Sequence, residues 1–111
     1  MPFLWAMSER ECLEGIIDLA VFDPAAGSWL ILEWKTNRTT ADDLPKLRAH
    51  YLPQLSAYWK AVSEMLGAPV SCALYSTATA EWLPYETDSL ATAWQSLRRE
   101  PDALARALAE P

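Results

Sequence analysis

The feature that most constrains this chain is a pair of β-rich runs on either side of a short stretch of turn chemistry. Residues 11–22 alternate and are rich in Ile, Val and Leu; Asp23-Pro24-Ala25-Ala26-Gly27-Ser28 follows; a second β-rich run extends from Trp29 to Thr36. Turn residues between two such runs predict a β-hairpin. Residues 3–7 add a short strand ahead of it, set off by the polar Ser8-Glu9-Arg10, so a three-stranded meander is expected.

After the hairpin the periodicity changes. Apolar residues recur at Leu44, Leu47, Tyr51, Leu55, Tyr58, Val62 and Met65, the spacing of one helix face. Pro53 interrupts this stretch. Because proline suits a first helical turn and disfavours helix in the residue before it, a short turn of helix is expected before Pro53, with the main helix from about Pro53 to Leu66. Gly67 and Pro69 end it. Val70–Tyr75 reads as a returning strand and Glu81–Tyr85 as a strand or extended tail. Asp88 is placed to cap a final helix to about Arg99, and Pro101 separates a further Ala/Leu-rich piece reaching Glu110. The expected fold class is α/β: meander, crossover helix, returning strands and C-terminal helix, with residues 1–86 as the core and 87–111 as a helical segment.

At 111 residues the chain makes one small domain, and 51% hydrophobic residues with six Trp mark it as globular. There is neither an apolar run of about 18 residues nor a leader at Met1–Met7, so the chain reads as soluble and cytoplasmic, with no membrane partner. Cys12 and Cys72 lie in strand-like stretches and read as buried thiols without chemistry. A net charge of −6 argues against broad attraction to nucleic acid; Lys35, Arg38, Lys46, Arg48 and Lys60 form a locally basic stretch, which on charge alone reads first as a solvated helix face.

Within the hairpin, Glu33 and Lys35 are two apart on one strand and share a face. A hairpin folded symmetrically about the Ala25–Ala26 bond sets Asp18 directly opposite Glu33, with Cβ atoms about 5 Å apart. Opposed carboxylates repel unless a hard cation lies between them, which suits Mg²⁺. An ordinary cross-strand ion pair involving Lys35 fits the same spacing, and spacing alone does not choose between the two.

The surrounding text carries more information. Gly15-Ile16-Ile17-Asp18-Leu19, then Leu32-Glu33-Trp34-Lys35-Thr36-Asn37-Arg38, then Tyr51-Leu52-Pro53-Gln54-Leu55-Ser56-Ala57-Tyr58 resembles, in order and distance, three motifs of the RecB/AddA-type PD-(D/E)XK nucleases. The resemblance implies a restriction-endonuclease-like core. It implies that Asp18 and Glu33 are metal ligands, with the carbonyl of Trp34 as a third, and that Lys35 is the catalytic lysine. Gln54 and Tyr58 match the family's QxxxY motif and lie four apart on a helix, facing the hairpin. For Tyr51 and Tyr58, core packing accounts for the sequence equally well; Gln54, an amide among apolar residues, points to function. The implied activity is Mg²⁺-dependent DNA hydrolysis of exonuclease type, with Mn²⁺ able to substitute. The implied setting is a helicase-nuclease acting in double-strand break repair and recombination, with DNA and a helicase as partners.

The chain departs from the family pattern in two ways. Glu33 stands where this branch usually has Asp, and the chain starts too late for the upstream helix that carries a metal-binding histidine. His50, its only histidine, falls after the lysine motif and does not match that ligand. Without a Walker-type phosphate loop no ATP use is expected, and two cysteines exclude a four-cysteine iron-sulfur cluster. The alternative is a non-catalytic remnant that binds DNA or a helicase. On either reading the isolated chain is expected to be weakly active or inactive.

Overall fold

A computed structural model describes residues 1–110 of the chain. Strands β1 (Pro2–Ala6) and β2 (Cys12–Ile16) form an antiparallel hairpin, and β3 (Leu19–Asp23), β4 (Ser28–Lys35), β5 (Val70–Ser76) and β6 (Glu81–Tyr85) form a four-stranded sheet in that order. Helix α1 (Leu44–Leu66) carries the chain from β4 to β5, which pair in parallel and so need a crossover between them. Helices α2 (Thr87–Arg98) and α3 (Pro101–Ala109) complete the chain. This is the α/β architecture expected of a restriction-endonuclease-like core.

The hairpin register is the one the turn chemistry implies. Asp23 pairs with Ser28 and Leu19 with Leu32, so one step further along the ladder Asp18 meets Glu33. The Asp23 carboxylate accepts from the Ala25 N–H at 3.0 Å, an Asx turn that starts the reversal, and Gly27 takes the left-handed conformation that closes it.

The meander is present in chain order, but the run read as one strand over residues 11–22 is broken at Ile17–Asp18 into β2 and β3, which belong to different sheets. Two interactions replace the ladder there. Ile17 exchanges hydrogen bonds with the main chain of Met1 and buries its side chain in the core, while Asp18 bonds to β4 through its side chain.

Helix α1 runs unbroken through Pro53, contrary to the expected division. The bond that Pro53 cannot donate would go to Ala49, which is exposed, so water can satisfy that carbonyl; the Ser56 hydroxyl donates to the Pro53 carbonyl at 2.7 Å. Burial is the compensating gain, because α1 is covered on two sides. Leu47, Tyr51, Leu55, Tyr58 and Val62 pack on Ile31, Cys72 and Leu74 of the sheet, and Ala57 and Ala61 pack on Leu13, Trp94, Leu97 and Ala107. The single apolar stripe expected from the sequence is therefore only one of two buried faces, and Met65 at its end is exposed. Gly67 ends α1 with φ 59°.

Asp88 lies in the first turn of α2, whose N-cap is Glu86. Cys72 is buried as expected, but Cys12 is exposed, because it lies at the start of a strand on the thin β1–β2 hairpin. At the sheet edge Arg48 donates through Nε (3.0 Å) and Nη2 to the Pro84 carbonyl, and the Tyr85 hydroxyl donates to the Arg48 carbonyl at 2.7 Å. No helix among the described residues is long and apolar enough to cross a membrane.

Candidate active site

The break between β2 and β3 creates the site. The Asp18 N–H donates to Glu33 Oε1 at 2.8 Å, and the Trp34 N–H donates to Asp18 Oδ2 at 3.1 Å. Each residue of the acidic pair is thus held by the other's strand, with both carboxyl groups at one cavity of about 700 Å³. Asp18 is exposed, whereas Glu33 is only 4% accessible.

Burial pushes the Glu33 carboxyl up to about 7, and the adjacent Asp18 charge adds to the shift; the Asp18 N–H and the Lys35 charge oppose it. A buried carboxylate beside a second one favours a cation that both can share. In an extended strand the N–H and C=O of a residue project to the same edge, so the Trp34 carbonyl lies on the edge from which its N–H reaches Asp18. Two carboxylates and this carbonyl are hard oxygen donors of the kind Mg²⁺ takes. Among the described residues no three Asp, Glu, His or Cys side chains cluster to hold an ion, so water and substrate would complete its coordination.

Lys35 follows Glu33 on the same face of β4 and is also buried. Its Nζ donates to Gln54 Oε1 at 3.1 Å and lies 4.2 Å from the centre of the Tyr51 ring. Burial lowers its basicity, and Glu33, Asp18 and Glu110 act in the opposite direction. Just beyond the neighbouring strand, Thr77 fixes the Lys35 carbonyl through its N–H (3.0 Å) and hydroxyl (3.2 Å).

Gln54 and Tyr58, one turn apart on α1, both line the cavity. Tyr58 stacks edge-on against Phe3 at 5.5 Å, and burial raises the pKa of its phenol. Gly15 makes this possible, since a Cβ there would stand 2.7 Å from Tyr58 Cε1; the glycine of the GxxD motif is therefore a packing requirement. Tyr51 belongs to the core and also lies beneath Lys35, with its hydroxyl held by Asn37. The two readings of that tyrosine are compatible. His50 does not line the cavity; it is exposed and lies 3.4 Å from the Glu110 carboxylate.

Four contributors are given no role by a reading of the sequence. Asn37 follows the lysine motif directly and could have been noticed as a polar residue beside a tyrosine-bearing helix. Glu14 on β2 lines the cavity by strand alternation. Glu110 and Leu108 arrive from the far end of the chain through the packing of α3, for which no local signal exists.

The fold and the site define a class: α/β domains that present two carboxylates and a lysine at the end of a central strand, backed by a crossover helix. The chain belongs to the PD-(D/E)XK nuclease superfamily, whose family model matches residues 5–110, and within it to the RecB/AddA type. It is 35% identical over 69 residues to an ATP-dependent helicase/nuclease protein of Carboxydothermus hydrogenoformans, a match covering 62% of this chain and 6% of that protein. No solved structure matches the chain.

Proposed function

We propose that this chain hydrolyses DNA phosphodiester bonds with Mg²⁺, as the exonuclease-type module of a helicase-nuclease that processes double-strand ends in repair and recombination. The observation that carries this reading is the reciprocal Asp18–Glu33 clamp beside buried Lys35. Asp18, Glu33 and the Trp34 carbonyl hold the cation, and Mn²⁺ can replace it. When bound, the ion lowers the pKa of a water and neutralises charge on the phosphate. The Lys35 ammonium orients that water or stabilises the charge that builds on the phosphoryl oxygens. Gln54 and Tyr58 shape the wall facing the scissile group. Residues 1–86 carry the nuclease core and 87–111 are the C-terminal segment, whose helices α2 and α3 pack on α1, and a cytoplasmic location goes with the role.

DNA has little besides Lys35 to attract it, since that is the sole basic residue among the described residues lining the cavity, and the chain carries −6 overall. The purified chain should therefore cleave weakly, and a helicase partner should raise the rate by delivering the strand. Calorimetric titration with Mn²⁺ tests the core of the reading: binding by the wild type and its loss in Asp18→Ala are expected. Equal binding by both proteins would overturn the assignment.

A further inference from the structure

We infer that the C-terminal turn of α3 is a positioning element for Lys35, acting through the side-chain amide of Gln54. The inference rests on the reading of Lys35 as catalytic and concerns what holds its ammonium in place.

Gln54 is 3% exposed, and both ends of its amide are engaged. Nε2 donates to the carbonyls of Glu110 at 2.6 Å and Ala107 at 3.3 Å, while Oε1 accepts from Lys35 Nζ at 3.1 Å. The Ala107 carbonyl takes only a long bond from the Glu110 N–H (3.4 Å), the Glu110 carbonyl lies past the last turn of α3, and both can only accept. They therefore decide which end of the amide faces them. With the nitrogen committed to α3, the oxygen must face Lys35. In the flipped arrangement an NH₂ group would face an ammonium, and an amide oxygen would face two carbonyls, so both contacts would be repulsive.

The end of α3 is itself anchored. Ala107 is buried against Ala57 and Ala61 of α1, Leu108 packs on the core, and the Glu110 carboxylate meets His50 one turn before Gln54. Lysine carries a long, flexible stem, and a site that uses its charge needs the ammonium placed within a fraction of an ångström. The Tyr51 ring restrains Nζ from one direction, and the α3-fixed amide restrains it from another. The sequence motif supplies Gln54, but its orientation is set by backbone atoms more than fifty residues away.

The test uses the full chain and the exposed position Ala109, whose side chain lines no part of the site. Ala109→Pro removes an N–H from the last turn of α3 and pushes Leu108 out of helical geometry, which displaces the carbonyls. Ala109→Ser at the same position is the control. Ala109→Pro should lower kcat on the order of tenfold while leaving KM for DNA and Mn²⁺ affinity unchanged, and Ala109→Ser should match wild type. In a Gln54→Leu background Ala109→Pro should have no further effect on kcat, because the link is already cut. Multiplicative losses would overturn the inference.

A measurement independent of cleavage separates this inference from the functional reading. In NMR spectra, Ala109→Pro should shift the Gln54 side-chain amide and the Lys35 Cε methylene signals, with the β4–β5 amides unmoved. If both sets of side-chain signals stay in place, α3 does not position Lys35, whatever the enzyme does. If Ala109→Pro does not fold, Ala109→Gly loosens the same turn more gently and is read in the same ways.

Discussion

On β4 the residues that point toward α1, Ile31, Glu33 and Lys35, are nearly inaccessible, whereas Trp34 between the last two is 45% exposed on the opposite face. The register extends this contrast across the sheet. Trp34, Tyr75 and Trp82 form one row, and Leu19, Leu32, Ala73 and Pro84 form the next, on the face turned away from α1. A carboxylate and an ammonium are buried on one face while two tryptophans stand partly in water on the other. This inverts the usual sorting of polar and apolar side chains. Buried charge at the end of an otherwise apolar face is what a site demands, since burial disfavours the charged form of both Glu33 and Lys35. The open face carries no comparable constraint and shows only that the sheet is one-sided in this chain.

Several measurements break or sharpen this comparison. The largest effect belongs to the buried polar face. Asp18→Ala should remove both cation binding and cleavage, whereas Lys35→Ala should retain the cation and lose roughly 10²–10³-fold in kcat, because it removes charge stabilisation without removing a ligand. Parallel loss of cation affinity in both variants would contradict the division of roles. Next comes the apolar part of the same face: Leu74→Ala, at a fully buried position, should cost about 2–5 kcal/mol in urea unfolding.

The third effect is a pH dependence. The Glu33 carboxyl titrates near 7 in the folded chain and at its ordinary 4.5 when unfolded, so the folded state holds a proton that the unfolded state has released. The stability this proton confers is complete below pH 4.5 and is lost as the pH rises to about 7, by at most about 3 kcal/mol. Glu33→Gln should flatten that part of the profile, and Mg²⁺ should restore stability to the wild type at pH 8. A wild-type curve that rises from pH 5 to 7.5 relative to Glu33→Gln would refute the shift. The smallest effect belongs to the open face, where Trp82, 46% exposed, should tolerate replacement by Ser with a change of about 0.5–1 kcal/mol and unaltered kcat.

The parts of this molecule that were legible in the sequence are those set by local chemistry. The Asp23–Ser28 turn fixes the hairpin register, and the register alone brings Asp18 opposite Glu33. The crossover helix and its stop at Gly67 follow from periodicity and from the glycine. What remained hidden depends on contacts between distant segments. Nothing near Pro53 shows that a helix buried on two sides will pass through it unbroken. Nothing in the alternation of residues 11–22 shows the break at Ile17–Asp18, which needs Met1 on one side and β4 on the other. Gln54 stood out in the sequence as an amide among apolar residues, but its bonds to α3 did not, because backbone carbonyls leave no mark in a sequence.

The proline in β6 has a consequence for how copies of this chain meet one another. A strand at the margin of a sheet offers a row of free donors and acceptors on which another strand can grow, and an open apolar face nearby would stabilise such an addition. Pro84 has no N–H to offer, and its carbonyl is already taken by the Arg48 guanidinium. That margin is therefore a poor template around Pro84, and strand addition is disfavoured on the side of the sheet where Trp82 would otherwise favour it.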